Sequence, residues 1–283
     1  MRTVQHILAT GPLVGVGVWD ALSAKLAAAA GVDAVFVSGY CLSATRLGEP
    51  DVGLVTQTEM LDAAARITAA VDVPVIVDID TGWGNEFNVE RTVRELVRLG
   101  AAGCFLEDQT WPKRCGHMDG KQVVPLDEYL PKLAAARAAR GDAPFHLTAR
   151  TDARAVHGLD EAIRRARAFA AAGADAVFVE APESVAEMDA VRAAVPAAVP
   201  LVANMVERGK TPLRTARDLA AAGYAIVVFP VTGILAATRA MRDAFGAVAS
   251  TGISTGVQER LLPFDELNEF LGLAERYRRE RRT

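Results

Sequence analysis

A chain of 283 residues that is 51% hydrophobic can bury a full core, as one large domain or two small ones, and its net charge of −4 gives no electrostatic case for nucleic acid. Three cysteines, Cys41, Cys104 and Cys115, make no paired framework and no zinc-knuckle spacing, which points to a reducing compartment. No stretch long enough to cross a bilayer is free of Gly, Pro or charge, and MRTVQHILATG has no apolar leader core, so the expected setting is cytoplasmic, with no membrane partner.

In chain order, short runs rich in β-branched residues predict strands over residues 13–18, 34–38, 73–79, 103–106, 145–149, 176–179, 200–203 and 225–229. Between them lie alanine-rich segments such as DALSAKLAAAAG, NVERTVRELVRLG and LDEAIRRARAFAAAG, in which apolar positions recur at helical spacing and a glycine often ends the run. AAGADAVFVE, echoed by AAGVDAVFVS and LGAAGCFLE, reads as one repeated unit: helix, glycine stop, tight turn, buried strand. Strands apolar on both faces and alternating with helices indicate a parallel sheet, and eight such units favour an α/β fold of the (β/α)8 barrel type. Residues 1–283 therefore read as a single barrel domain with a C-terminal helical extension from about 235 to 283. That extension contains a helix near 235–245, the turn STGISTG and a final amphipathic helix from about Pro263. Its closing RYRRERRT, with Arg276, Arg278, Arg279, Arg281 and Arg282, reads as a solvated helix end where cations suit the dipole.

Functional groups of such barrels gather at the C-terminal ends of the strands. Those ends carry Asp78 and Asp80, then Glu107 and Asp108, Arg150 and Asp152, Glu180, and Asn204. Taken singly, Asp152 reads equally well as a helix cap; the set reads as a mouth lined with polar groups. In DIDTG the alternation of a strand ending turns Asp78 and Asp80 the same way, able to share a cation directly or through water. With Glu107 they form an oxygen-rich set suited to Mg²⁺ or Mn²⁺. Arg150 needs an anion near the barrel interior, either a substrate carboxylate or an internal partner such as Glu180 or Asp152.

The segment EDQTWPKRCGHMDGK, from Glu107 to Lys121, is hard to account for as packing. Cys115 is either an inert buried thiol or a reactive one, and Lys113, Arg114 and His117 beside it favour the thiolate. Gly116 and Gly120 suit a loop that closes over the mouth, with His117 orienting the loop or moving protons.

These residues resemble the isocitrate lyase/phosphoenolpyruvate mutase superfamily from about Val18 to Arg239. DIDTGWGN is similar to its metal-binding strand end, LEDQ to its second acidic motif, and KRCGH to the mobile catalytic loop of its lyases. ARTDAR, NMVERGKTP and VSGYCLSATRLGEPDVG match further signatures, and the chain is most similar to the branch of oxaloacetate hydrolases and 2-alkylmalate lyases. The resemblance implies a Mg²⁺-dependent enzyme cleaving a C2–C3 bond in a small 2-hydroxy or 2-oxo dicarboxylate. Asp78 would contact the metal, and Asp51, Asp80 and Glu107 would hold its waters. Ser38, Gly39, Tyr40, Gly116, His117, Arg150, Glu180 and Asn204 would line the substrate pocket, with Cys115 as proton donor. Met118 stands where methylisocitrate lyases carry an arginine, which disfavours a tricarboxylate. Phe36 stands where they often carry tyrosine. The same loop resembles carboxyphosphonoenolpyruvate mutase, so phosphonomutase chemistry is the alternative. The superfamily also implies a homodimer or homotetramer with exchanged C-terminal helices; the sequence itself offers an apolar face of Phe264, Leu267, Phe270, Leu271 and Leu273.

Overall fold

Every strand in the computed structural model, which describes residues 3–280, pairs in parallel with its neighbours in sequence, and the last returns to the first. The strands are β1 (Leu13–Val18), β2 (Ala34–Val37), β3 (Val75–Asp78), β4 (Gly103–Glu107), β5 (His146–Thr151), β6 (Ala176–Val179), β7 (Leu201–Asn204) and β8 (Tyr224–Phe229), closing a (β/α)8 barrel. Two boundaries depart from expectation for local reasons. Pro74 has no N–H to give, so the β3 ladder starts at Val75, while the Pro74 carbonyl still accepts from Val35. β5 runs on past Ala149 because Arg150 stays in register with Glu107 and Phe178, and Thr151 with Val179.

Strict alternation divides the strand residues between two cores. Ala34 and Phe36, Ile76, Phe105, Ala176 and Phe178, Val202, and Ile226 and Val228 fill the barrel, joined by Val4 and Ile7 of the helix Val4–Thr10 that precedes β1. Their neighbours Val35, Val37, Val77, Leu106, Leu147, Ala149, Val177 and Ala203 face the helices. Inside, the rings of Phe36, Phe105 and Phe178 pack in sequence at 5.1 and 5.8 Å between centroids, an apolar layer. Polar strand-end residues follow next along the same inward rows.

One inward row also buries polar groups lower down. His146 is 1% exposed, and among the described residues neither of its ring nitrogens has a hydrogen-bond partner, nor has Thr148 Oγ1 on the same face. Burial pushes the imidazole down to about 4. Because the unfolded chain protonates first, near 6.5, this site adds no penalty at pH 7 and withdraws stability as pH falls from 6.5 toward 4, by roughly 3 kcal/mol. Urea midpoints followed from pH 7 to pH 4 should fall less steeply in His146→Leu than in the parent; equal slopes would contradict the assignment.

Two compact units are distinguished, Met1–Ile234 and Leu235–Thr283. The first contains the barrel. The second contains most of the helix Thr232–Thr251, a 3₁₀ turn at Thr255–Arg260, and helices Phe264–Phe270 and Leu273–Glu280. The amphipathic helix expected from Pro263 is thus two short helices, separated at Gly272, whose φ of +81° suits a residue without Cβ. Neither helix buries a residue. Arg278 and Arg279 pair with Glu275 at the surface, whereas Arg281 and Arg282 lie outside the described residues. Among the described residues no helix is long and apolar enough to cross a membrane.

Candidate active site

The acidic pole of the barrel mouth is built by β3 and the segments after β2. Asp78 is the last residue of β3; the strand ends there, and Asp80 reaches the mouth through a turn in which its own φ is +47°. The expected strand alternation is therefore not what aligns the two carboxylates. The Asp80 N–H donates to Asp78 Oδ1 at 3.1 Å, and both side chains converge on Gly39, where a Cβ would stand 3.3 Å from Asp78 Oδ2 and 3.4 Å from Asp80 Oδ1. The Lys113 ammonium comes down into this pole, 2.7 Å from Asp51 Oδ1 and 2.8 Å from Asp80 Oδ1, with its side chain 4% exposed. Burial opposes the charge on Lys113, but the surrounding carboxylates overrule it and hold its pKa well above the usual lysine range.

Opposite lies a second cluster, centred on Arg150. Its Nε meets Asp152 Oδ2 at 2.9 Å and Glu107 Oε2 at 3.3 Å, and Nη2 meets Glu180 Oε2 at 3.1 Å. Its Cζ lies 5.1 Å from the centre of the Phe178 ring. Among the described residues the guanidinium donates hydrogen bonds only through Nε and Nη2, to Asp152. Burial would raise Glu180, yet Arg150 and His117 hold it down at about 2, and Arg150 and Lys121 overcome the same penalty at Asp152. Asn204 Nδ2 donates to both Glu180 oxygens, at 3.3 and 3.2 Å. Ala181 follows with φ +54°, a second strained non-glycine at the mouth, of the kind that costs about 1–3 kcal/mol. Between the two poles is a cavity of about 50 Å³, lined by Ser38, Asp78, Arg150 and Asn204 above Phe36, Phe105 and Phe178. Ser38 also turns its hydroxyl toward the Cys41 N–H, and Tyr40 is half-buried beside it.

The loop 109–123 covers this mouth. Its base is a bridge between Gln109 and Val123, and the Gln109 amide brackets the Arg114 backbone, giving one hydrogen bond of 2.9 Å and taking one of 3.0 Å. The Cys115 N–H donates to the Asp51 carbonyl at 3.1 Å. Gly116 lies so close to the Arg150 pole that a Cβ would meet Arg150 Nη2 at 2.5 Å. His117 Nδ1 accepts from the Lys210 N–H, so a neutral ring carries its proton on Nε2, 3.2 Å from Glu180 Oε1.

Three expectations need correcting. Asp108 does not join Glu107: successive strand residues point to opposite faces, and its carboxylate turns outward to Arg165 at 2.9 Å and to the Asp152 N–H at 3.0 Å. Arg114 is exposed, with its guanidinium on the Asp119 carbonyl at 3.0 Å and away from the cavity. The thiol of Cys115 is not ionised by its basic neighbours, because burial pushes it up to about 11 and Asp51 adds to the shift, outweighing Lys113. Neither Lys121 nor Gln109 carries a signal of its role in the sequence, and Asp152 reads there only as a cap or an ion-pair partner. Lys121 is buried and ion-paired to Asp152 at 2.8 Å, a contact that exists only once the loop has folded onto β5.

The donor set suits a hard cation. Six carboxylates, from Asp51, Asp78, Asp80, Glu107, Asp152 and Glu180, share the mouth with three cationic side chains, Lys113, Lys121 and Arg150. Burial, with Asp78 and Asp51 adding to it against Lys113, raises Asp80 to about 7, and burial raises Glu107 well above its ordinary range. Glu107 Oε1 is buried without a hydrogen-bond partner among the described residues. Such unmet negative charge fits a divalent ion. Among the described residues no three Asp, Glu, His or Cys side chains stand together as a ready-made cage.

The family model described as phosphoenolpyruvate phosphomutase matches residues 5–249. The petal death protein of Dianthus caryophyllus is 46% identical over 282 residues, 99% of this chain and 88% of its own. The 2,3-dimethylmalate lyase of Eubacterium barkeri is 44% identical over 271 residues, 95% of this chain and 93% of its own. Among solved structures, oxaloacetate acetylhydrolase with the inhibitor 3,3-difluorooxalacetate superposes with a TM-score of 0.91 at 36% identity, over 97% of this chain and 94% of that one. Phosphonopyruvate hydrolase complexed with oxalate and Mg²⁺ gives 0.86 at 33% identity, over 97% and 95%. With this extent of likeness, and a closed barrel whose mouth carries the acidic strand ends and the cysteine loop together, the chain belongs to the isocitrate lyase/phosphoenolpyruvate mutase superfamily.

Proposed function

We propose that this chain is a Mg²⁺-dependent lyase or hydrolase that breaks the C2–C3 bond of a small 2-hydroxy or 2-oxo dicarboxylate, a 2-alkylmalate or oxaloacetate. The observation that carries the reading is a cavity with an acidic pole at Asp78 and a cationic pole at Arg150, beneath the loop that carries Cys115. The names of the relatives support it: two act on dimethylmalate or oxaloacetate, and one was crystallised with oxalate and Mg²⁺.

Asp78, Asp51, Asp80 and Glu107 would hold the metal, which when bound supplies positive charge against the C1 carboxylate and the C2 oxygen. Arg150 and Asn204 orient the 2-oxo acid portion, and Arg150 is itself kept in place by Asp152 and Glu180. As the C2 hydroxyl gives up its proton to solvent, its O–H pair closes the C2=O bond, the C2–C3 bond breaks and its electron pair passes to the carbon beside the departing carboxylate; a proton taken back from solvent afterwards restores the one that carbon receives. Cys115, protonated at neutral pH, returns a proton to that carbon. His117 keeps Glu180 ionised and ties the loop to the segment after β7. For oxaloacetate, water adds at C2 and the same cleavage yields oxalate and acetate. Phe36 supplies no hydroxyl, and Met118 no charge for a third carboxylate. The enzyme is expected to be cytoplasmic and a homo-oligomer, dimer or tetramer, with one barrel domain followed by the C-terminal extension.

Turnover of oxaloacetate and a panel of 2-alkylmalates, measured with Mg²⁺ and again after chelation, tests the proposal. Metal-dependent release of a 2-oxo acid or oxalate is expected. Turnover of none of them, together with conversion of carboxyphosphonoenolpyruvate seen by phosphorus NMR, would replace the lyase reading with a phosphonomutase.

A further inference from the structure

Lys121 is a buried cation that the proposed chemistry does not use. Its side chain is 1% exposed, and its ammonium donates both to the Gly116 carbonyl and to Asp152 Oδ1, the latter at 2.8 Å. Both partners lead back to the site. Gly116 directly follows Cys115, and its Cα lies against the Arg150–Glu180 pair. Asp152 is the acceptor that fixes the Arg150 guanidinium, through Nε at 2.9 Å and Nη2 at 3.2 Å, and the second of those bonds uses the same Oδ1 that Lys121 holds. A carboxylate oxygen divided between two cations has its direction set by both. Lys121 also rides on the loop, two residues before the Val123 end of its basal bridge. Opening the loop past that point separates the ammonium from Asp152.

We propose that Lys121 is a positioning residue whose ammonium couples closure of the 109–123 loop to the orientation of Arg150, so that the anion clamp is set only when Cys115 is over the cavity. The inference rests on the reading of Arg150 as the clamp for the substrate. A closed loop presents Asp152 with two cations and leaves Arg150 aimed into the cavity; an open loop leaves Asp152 to Arg150 alone. Ligand and closure then favour each other, and an anion that pulls Arg150 into place draws the loop shut.

The test uses the full-length protein, with oxalate as the probe. Lys121→Met keeps the length of the side chain and removes the charge; Lys121→Arg keeps the charge. In the ligand-free protein, hydrogen exchange across residues 109–123 should quicken about tenfold in Lys121→Met and stay near the parent rate in Lys121→Arg. Calorimetry in Mg²⁺ should find oxalate bound about tenfold more weakly by Lys121→Met, with Lys121→Arg restoring most of the affinity. Unchanged exchange in Lys121→Met overturns the latch. Faster exchange with unchanged oxalate affinity overturns the coupling to Arg150. Should the methionine variant not fold, Lys121→Gln, a shorter neutral donor, takes the same two measurements with the same expectations. Neither readout is turnover, so an inactive parent enzyme would contradict the proposed function and leave the coupling to be judged on exchange and oxalate affinity.

Discussion

Arg150→Met is expected to lower kcat/KM by at least roughly 10²–10³-fold and to destabilise the protein by about 3–5 kcal/mol at pH 8. The first effect follows from removing the cationic pole of the cavity. The second follows from what the guanidinium holds: Asp152, Glu107 and Glu180 all approach within 3.3 Å of it. Glu180 sits at about 2 in the parent, since Arg150 outweighs the burial that would raise it, and Asp152 is lowered likewise. A carboxylate depressed in the folded state contributes stability above its unfolded pKa near 4, lost only as pH falls toward its folded value. In the variant the burial penalty is opposed only by Lys121 at Asp152 and by His117 at Glu180, and where burial wins the sign reverses. The folded carboxylates then hold protons that the unfolded ones release, so stability is lost as pH rises above about 4. The difference between variant and parent should thus be present already at pH 5, where the parent's depressed carboxylates contribute in full, and larger at pH 8, as read from urea midpoints at both. Arg150→Lys should fall between, because one ammonium cannot meet Asp152 and Glu180 with the spread of a planar fork. A methionine variant with near-parental kcat/KM would remove Arg150 from the site.

Much of this site is legible in the sequence because its parts are set by local rules. AVFV closing on Ser38 and again on Glu180, and VIVD closing on Asp78, announce buried strands followed or ended by a polar residue; Ser38 and Asp78 line the cavity and Glu180 meets Arg150 beside it. What is not legible depends on faces and on distant pairing. Glu107 and Asp108 are adjacent and chemically alike, yet a strand sends one inward to Arg150 and the other outward to Arg165. Asp80 reaches its place through a left-handed turn that no alternation pattern encodes. Lys113 and Asp51 are 62 positions apart, as Lys121 and Asp152 are 31 apart, and both pairs exist only when the loop lies closed on the barrel. The C-terminal amphipathic pattern was readable as helical, but Gly272 divides it.

The cysteine shows why composition around a residue does not stand in for its environment. Three basic neighbours in sequence argue for a thiolate, yet Arg114 points away and Lys113 is spent on Asp51 and Asp80. Desolvation decides the outcome, and the thiol rises to about 11. For a nucleophile that would be a defect; for a group that must hold a proton at pH 7 and deliver it to carbon, it is the needed state. Cys115→Ala is therefore expected to lower kcat by roughly 10²–10⁴-fold, the range for losing a positioned general acid, while oxalate affinity stays within about threefold. Cys115→Ser should also be impaired, since a hydroxyl is a far weaker acid than a thiol. Because the ionised form is scarce below pH 10, no alkaline fall in kcat due to this residue should appear between pH 7 and 9. Thiolate absorbance, taken as the difference between the parent and Cys115→Ala, should rise only near pH 11, and alkylation of Cys115 by iodoacetamide at pH 7 should be slow. Rapid alkylation there would restore the thiolate and with it a nucleophilic role. An alanine variant that turns over at the parental rate would assign protonation of the departing carbon to another group, for which His117 on the same loop, with Nε2 facing Glu180, is a candidate.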